Sequence, residues 1–445
     1  MDNSQQIIDR SQLVDYFKQG ESSPENCKVG LECEVFIVDK ETLELVPYYG
    51  DRGIEKILKE VAANFNWEPV LEKSHIIGLS DKTANVTMEP AGQLELSGTA
   101  CMHLKDCITE YNKFITELKS VCEPLGIGLL PLGYQPLNTL ENTAWVPKGR
   151  YKILSKYFAD YGGHLAHHMM KLTATVQASI DYCSEDDFRE KMLLASYLVP
   201  VLYAIYANSP LKQNKFSGYL SYRGHIWEHT DDDRCGIVPA PFKKSFSYDD
   251  YVEYLLNVPM VLRIAGNEVI PMHGITFKEY LKKENATMAD WEMHTSFAFP
   301  EVRVKNYIEI RSCDCQKPEL VPTIPALIKG LFYCPKTRHN TLSLFEGISF
   351  EEIVALKNKV TKTGLQTVFK GRKVLELAQE IYKIAQNCLK DFAEEGKVAN
   401  SNDLKYLSPL EEYLFDKKCS PAEELLNLWE KNGQDILKIR DKILI

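Results

Sequence analysis

Basic residues are in deficit: 52 Lys and Arg stand against 62 Asp and Glu across 445 residues, a formal net charge of −10. A nucleic-acid binder that relies on overall positive charge is therefore not expected. Long apolar runs are missing too. The longest uncharged apolar stretch, Met192 to Asn208, is interrupted by Pro200 and falls short of the roughly 20 residues a spanning helix needs. It reads as a buried core helix, and no membrane partner is expected. Met1 to Arg10 carry no basic segment followed by an apolar core, so no secretory signal is read and a cytosolic location is expected. Twelve cysteines without regular spacing read as free thiols. Cys313 and Cys315 are the one close pair, for which a metal or redox role stands beside the plainer reading of small residues in a turn. No G-x-x-x-x-G-K-[ST] run occurs, and Gly126-Ile127-Gly128 is not followed by a phosphate-cradling helix signature, which argues against a P-loop and a dinucleotide-binding fold. No repeat, low-complexity tract or Pro/Gly/Ser-rich linker divides the chain, favouring one interlocked unit over residues 1–445.

Hydrophobic residues at 44% and aromatics at 10% allow a sizeable core. Apolar residues at helical spacing predict helices through Ile54, Ile57, Leu58, Val61 and Phe65 and through Leu104 to Val121. Two more are predicted around Leu193 to Tyr206 and through Leu377, Ile381, Ile384 and Cys388. From about Lys357 onward the chain reads as a mostly helical C-terminal part, residues 357–445.

Four strands alternate strictly and place their chemistry on the polar side. In the first, Leu31, Cys33, Val35 and Ile37 alternate with Glu32 and Glu34. The segment Val86 to Ser97, bent at Pro90-Ala91-Gly92, sets Glu89, Gln93 and Glu95 opposite Met88, Leu94 and Leu96. Leu172 to Asp181 carries Thr173, Thr175 and Gln177, and Val302 to Arg311 carries Arg303, Lys305, Glu309 and Arg311. Any one of these could be a sheet with one solvated face. Four together, rich in Glu and Arg, point elsewhere. Carboxylates two apart on a strand are about 7 Å apart, a spacing that suits separate or bridged Mg²⁺ ions. Glutamates this dense repel one another unless metal cations or arginines neutralise them. A multi-metal Mg²⁺ site holding a nucleoside triphosphate is the reading that follows, the metals clamping the phosphates in place of a P-loop.

These residues stand in longer motifs: VGLECEVFIVD (29–39), IIGL (76–79), MEPAGQLELSG (88–98), GIGLLPLGYQP (126–136), PKGRY (147–151), HHMMKLTATVQASIDY (167–182), ANSP followed by GYLSYRGHIW (218–227), and WEMHTSFAFPEVRVKNYIEIR (291–311). In this order, over nearly the whole length, the chain resembles the plant and proteobacterial type of glutamate–cysteine ligase. The resemblance implies an α+β fold: a curved antiparallel sheet of the glutamine-synthetase catalytic type, with helices on the convex side and a C-terminal helical layer. It implies Glu32, Glu34, Glu89, Glu95 and Glu309 as ligands of two or three Mg²⁺ ions, with Gln177 a further ligand on the metal or phosphate side. The implied reaction uses ATP to phosphorylate the γ-carboxylate of glutamate, after which the α-amine of cysteine attacks the acyl phosphate and phosphate leaves.

Such chemistry needs charge cancellation and in-line placement by metals, and guanidinium forks for the substrate carboxylates. The candidates are Arg150, Arg223, Arg303 and Arg311. Arg223 and Arg311 are taken as catalytic, with Arg311 facing the transferring γ-phosphoryl group. Thr175 is implied as a substrate contact, and His225, inside a matched motif, as a contact to substrate or nucleotide. His164, His167 and His168, and the pair His225 and His229, are otherwise read as packing or hydrogen-bonding groups and not as zinc ligands. Asp231-Asp232-Asp233 reads as a solvated loop with a gating role left open, and Trp227 and Trp291 as walls of the site or core.

Departures from the family are visible. Val35 stands where plant members have a lysine beside the metals, and Ser312 replaces a glycine after Arg311, altering an expected loop near the phosphates. Met272, in the segment 270–290, occupies the position expected for a regulatory cysteine. Three readings stay open: the ligase itself, a same-fold ligase joining glutamate to another amine, and a catalytically silent protein on this fold. Small-molecule substrates are expected as partners of a monomer or homodimer.

Overall fold

Period-two alternation builds one large antiparallel sheet from β1 (Val29–Asp39), β2 (Glu68–Glu72), β3 (His75–Ser80), β4 (Ala84–Met88), β5 (Leu94–Gly98), β6 (Ile127–Leu130), β7 (Thr175–Ile180), β8 (Val302–Val304) and β9 (Ile308–Asp314). The strand order is β8-β9-β7-β1-β5-β4-β3-β2, and β6 pairs with the C-terminal part of β1. The computed structural model describes residues 5–266, 268–283, 285–394 and 403–445. Residues 1–4 of the N-terminal stretch and 395–402 of the expected C-terminal helical part therefore lie outside the described residues.

β1 is the central strand. Its first half pairs with β7 on one side and β5 on the other, so Glu32 faces Gln177 across one ladder and Glu34 faces Glu95 across the other. The apolar face is covered by helices that follow the predicted stripes and by one, Thr323–Phe332, that the spacing did not predict. These are α1 (Ile54–Asn64) over β3, α2 (Leu104–Cys122) over β5 and β6, α5 (Glu185–Ile205) over β9, and α7 (Thr323–Phe332) over β7 and β1. Two further helices, α3 (Gly149–Tyr161) and α4 (Ala166–Leu172), reach the other face, where Tyr151, Leu154, Met169 and Met170 line a cavity with Glu34 and Glu89.

α2 buries Leu104, Ile108, Tyr111, Phe114, Leu118 and Val121 on one side. Each such side chain contributes about 1.5–3 kcal/mol when removed from water. α5 starts at Ser184, whose hydroxyl accepts from the Asp187 amide, and its first turn holds Glu185, Asp186 and Asp187, as the helix dipole favours. Pro200 removes one amide from its ladder, yet the helix continues to Ile205 because Leu198, Val199, Val201 and Leu202 are all buried. No described helix is long and apolar enough to cross a membrane. C-terminal helices α8 (Phe350–Thr363) and α9 (Val374–Glu394) pack against α5 and α7, and α8 runs through Lys357.

Three of the four predicted strands have other bounds. Val86 to Ser97 is not one bent strand but the hairpin β4–β5, because Gly92 takes φ +92° and turns the chain back between Glu89 and Gln93. Val302 to Arg311 is likewise a hairpin, β8–β9, with Arg303 opposite Glu309. Lys171 and Leu172 belong to α4, so the third strand begins at Thr175. Ser312 and Cys313 lie within β9, Ser312 inside a register shift and Cys313 where pairing with β7 resumes, although a loop or turn was expected there. Cys313 and Cys315 are buried free thiols. Met272 follows a separate two-stranded hairpin, Leu262–Ala265 with Glu268–Pro271.

Candidate functional site

The polar face of the sheet collects the expected carboxylates. Glu34 and Glu95 are direct cross-strand neighbours, Glu89 sits at the β4–β5 turn, and Glu32 lies one pleat away on β1. Like charges directly opposite on a sheet repel at Cβ separations of about 4.5–5.5 Å, and the titration of the group reflects this. Burial, reinforced by Glu309 and Glu95, pushes Glu32 up to about 8. Burial and then Glu89 and Glu95 push Glu34 well above the carboxylate range, against the pull of Arg223 and Arg311. Glu95 is raised by burial and by Glu89, although Thr87 Oγ1 donates to its Oε2 at 2.9 Å. Glu34 Oε2 accepts from the Thr175 amide at 3.0 Å. Carboxyl groups whose charged forms are disfavoured by burial and by one another are thus concentrated between β1, β5 and the β4–β5 turn.

Glu309 behaves in the opposite way. Burial alone would raise it, but Arg303, Arg311 and Lys305 outweigh that and hold it far below the ordinary range. Arg303 Nε and Nη2 and Arg311 Nη1 all reach its Oε2 at 2.7 Å. Lys305 Nζ is 3.5 Å from Oε1, which makes no hydrogen bond to the described residues. Arg311 Nη1 also donates to Gln177 Oε1 at 2.6 Å, so Gln177 and Glu309 share one guanidinium.

Arg223 enters from α6 (Tyr222–Glu228), a helix that lies over β9. Its Nη2 donates to the Arg311 carbonyl at 3.1 Å, while Nε and Nη1 are buried with no hydrogen-bond partner among the described residues. A buried guanidinium with two unmet N–H groups is a ready partner for a carboxylate or phosphate. Trp227 stands beneath both Arg223 and Arg311, each 5.7 Å from its ring. Glu34, Glu89, Thr175, Arg223, Trp227 and Arg311 all line one cavity of about 100 Å³.

The other sequence candidates lie as follows. Arg150, on α3, is exposed and stacks over Tyr151 at 5.2 Å. Tyr151 itself donates to Met88 O at 2.6 Å and stands 3.4 Å from Glu89 Oε1. The Arg303 guanidinium is occupied by Glu309 and by the carbonyls of Ser296 and Ala298. Thr175 Oγ1 donates to Cys313 O at 2.6 Å. His225 lines a different and larger cavity, of about 420 Å³, with Glu228 and His229. Trp291 is fully buried among Phe17, Phe277 and His294. Asp231 is not solvated: it is buried in an ion pair with Arg234 at 2.6 Å, while Asp232 and Asp233 are exposed.

Three supporting residues were missed in the sequence. Asp314, buried at the end of β9, accepts from Asn208 N and Ser209 Oγ at one oxygen and from Ser221 Oγ at the other. Ser221 in turn caps α6 by accepting from Gly224 N, and Ser209 Oγ accepts from Arg223 N, so one carboxylate seats the helix that carries Arg223. Gly133 is required beside it, since a Cβ there would come within 2.5 Å of the Asp314 Cβ. Glu301 is buried against Lys357 Nζ at 2.6 Å, Tyr203 and Ser312, tying α8 to the sheet. Lys148, lowered to about 8 by burial and by Arg150, donates to Met88 O behind Glu89. Lys148 stood in PKGRY and Glu301 in the motif 291–311, but neither position carried a signal of its partner.

A family model described as glutamate–cysteine ligase family 2 matches residues 28–439. A chloroplastic glutamate–cysteine ligase A from Oryza sativa subsp. indica is 35% identical over 436 residues, covering 96% of this chain and 86% of that protein. A chloroplastic glutamate–cysteine ligase from Solanum lycopersicum is 34% identical over 447 residues, covering 98% and 83%. Among solved structures, a glutamate–cysteine ligase from Francisella tularensis in complex with AMP shares the fold with a TM-score of 0.57 at 11% identity, covering 95% of this chain and 89% of that one. The relatives also overturn the cytosolic location expected from the N-terminus, since the Oryza and Solanum ligases are chloroplastic proteins. Ten N-terminal residues held too little information to decide a compartment.

Proposed function

Since the chain belongs to glutamate–cysteine ligase family 2, we propose that it forms γ-glutamylcysteine from glutamate, cysteine and ATP through a γ-glutamyl phosphate. The observation that carries this reading is the sheet face itself: four glutamates gathered where burial and mutual repulsion hold Glu32, Glu34 and Glu95 above the ordinary carboxylate range. Groups in that state bind cations in preference to remaining bare. The donor set is all oxygen, and Glu309 Oε1 is buried without a hydrogen bond, so the residues fit Mg²⁺. Glu32, Glu34, Glu89, Glu95 and Glu309 would hold two or three ions, with Gln177 oriented by Arg311. Bound Mg²⁺ supplies charge neutralisation for ATP and the acceptor carboxylate.

Arg311, fixed by Glu309 and Gln177, stabilises charge on the transferring phosphoryl group. Arg223, with its unmet N–H groups facing the cavity, receives a substrate carboxylate or phosphate oxygen. Arg150, exposed over Tyr151, would attract anionic substrate. Arg303 acts through Glu309, which it holds ionised. Lys357 joins α8 to Glu301 beneath the site, so the C-terminal helices belong to one catalytic unit in this reading. The test is purified protein with Mg²⁺, ATP and glutamate, scored for ADP and product mass against a panel of amines. Cysteine-dependent ADP release with γ-glutamylcysteine as product is expected; no nucleotide turnover with any acceptor would sink the proposal.

A further inference from the structure

The C-terminal end of α6 carries a constellation that lies in a different cavity from the carboxylate face. His225, Glu228 and His229 are three and four residues apart, so one helical turn brings them to the same side. One ligand atom from each lies within 4.8 Å of the other two. His225 Nδ1 is 3.8 Å from Glu228 Oε2, and the two imidazoles meet edge to face with centroids 4.5 Å apart. The Glu228 carboxylate is divided between two neighbours: Oε1 faces Lys357 Nζ at 3.8 Å, leaving Oε2 for the histidine side. His164, from the loop before α4, approaches His229 with ring centroids 5.0 Å apart. All three residues line the cavity of about 420 Å³, to which Asp232 also contributes, so the cluster opens onto space and not onto packed core.

The donors here differ in kind from those of the sheet. Two imidazole nitrogens with one carboxylate suit Zn²⁺ and its neighbours, whereas Mg²⁺ prefers oxygen. We propose that His225, Glu228 and His229 form a binding site for a single Zn²⁺-class transition-metal ion, with its remaining position open to water from the cavity. Bringing all three donors to bonding distance needs only side-chain rotation, because tetrahedral ligands about 2.0–2.2 Å from Zn²⁺ stand roughly 3.5 Å apart. The ion would pin the last turn of the helix whose first turn carries Arg223. Trp227, which lines both cavities, separates it from the carboxylate face.

Co²⁺ is the probe that tests this. Metal-free protein in excess Mg²⁺, which fills oxygen-only sites, is titrated with Co²⁺ and followed by its visible absorption. One Co²⁺ per chain with the intense bands of a low-coordinate ion, displaced by Zn²⁺, is expected. His229→Ala and His225→Ala, each checked for native circular dichroism, lose the bands, whereas Glu34→Gln keeps them. No Co²⁺ uptake above excess Mg²⁺, or bands that survive both histidine variants, overturns the site. Bands lost in Glu34→Gln instead would assign the ion to the sheet and overturn it equally.

Discussion

The two ends of the carboxylate face are built on opposite electrostatic principles. At the β8–β9 end, Glu309 arrives with its own cations, and Arg303, Arg311 and Lys305 hold it ionised. At the β1–β5 end, Glu32, Glu34 and Glu95 have mainly one another for company, and all three are pushed toward protonation. The first end is neutralised largely within the chain, with only Glu309 Oε1 left without a hydrogen bond among the described residues. The second is complete only when positive charge comes from outside. A site that transfers a phosphoryl group between anions needs both, a rigid guanidinium and a place that calls in metal.

The sharpest way to break this contrast is to neutralise each end in turn. Glu309→Gln leaves three clustered cations without their carboxylate, and it should destabilise the fold by about 3–5 kcal/mol, read as a lower urea midpoint, while also abolishing turnover. Glu34→Gln should do the reverse. Turnover falls by on the order of 10²–10³-fold, but metal-free stability stays level or rises, because repulsion with Glu89 and Glu95 is relieved and the amide oxygen still accepts from the Thr175 amide. Near-normal activity in Glu34→Gln would remove it from the metal site.

The pH dependence sharpens the comparison next. Carboxyls raised in the folded state bind protons more tightly there than when unfolded, so their stabilisation is full at low pH and is lost as pH rises. Metal-free protein should therefore lose thermal stability from the ordinary carboxylate range up through about 8, where Glu32 titrates. Mg²⁺ at pH 8 should restore it, by about 2.7 kcal/mol at 100 times Kd. A metal-free melting temperature that climbs over that range would contradict the account. The smallest effect is expected at Thr175→Val. Its hydroxyl is already committed to Cys313 O, so the variant should cost about 1 kcal/mol of stability with KM for glutamate little changed. A large rise in KM would return Thr175 to the substrate.

Much of the site was legible along the chain, and for a definite reason. A strand repeats every two residues, so Glu32 with Glu34, and Glu309 with Arg311, had to share a face wherever their strands ended up. The motifs around them carried the family, and the spacing of Leu104 to Val121 carried the helix beneath. Boundaries were less legible. The hairpin at Glu89 to Gln93 depends on a left-handed Gly92, which alternation alone does not reveal.

Partnership was not legible at all, because periodicity says which face a residue occupies and nothing of which strand lies beside it. Register placed Glu34 against Glu95 and Arg303 against Glu309. Packing of elements far apart in sequence brought Lys357 to Glu301, and Ser209 and Ser221 to Asp314. The sequence by itself determined the family, the sheet's two faces and the kinds of group on the polar one. Only the tertiary structure decided which carboxylates are paired with cations of the chain and which are crowded together and pushed toward protonation, since that balance depends on distances across strands and on burial.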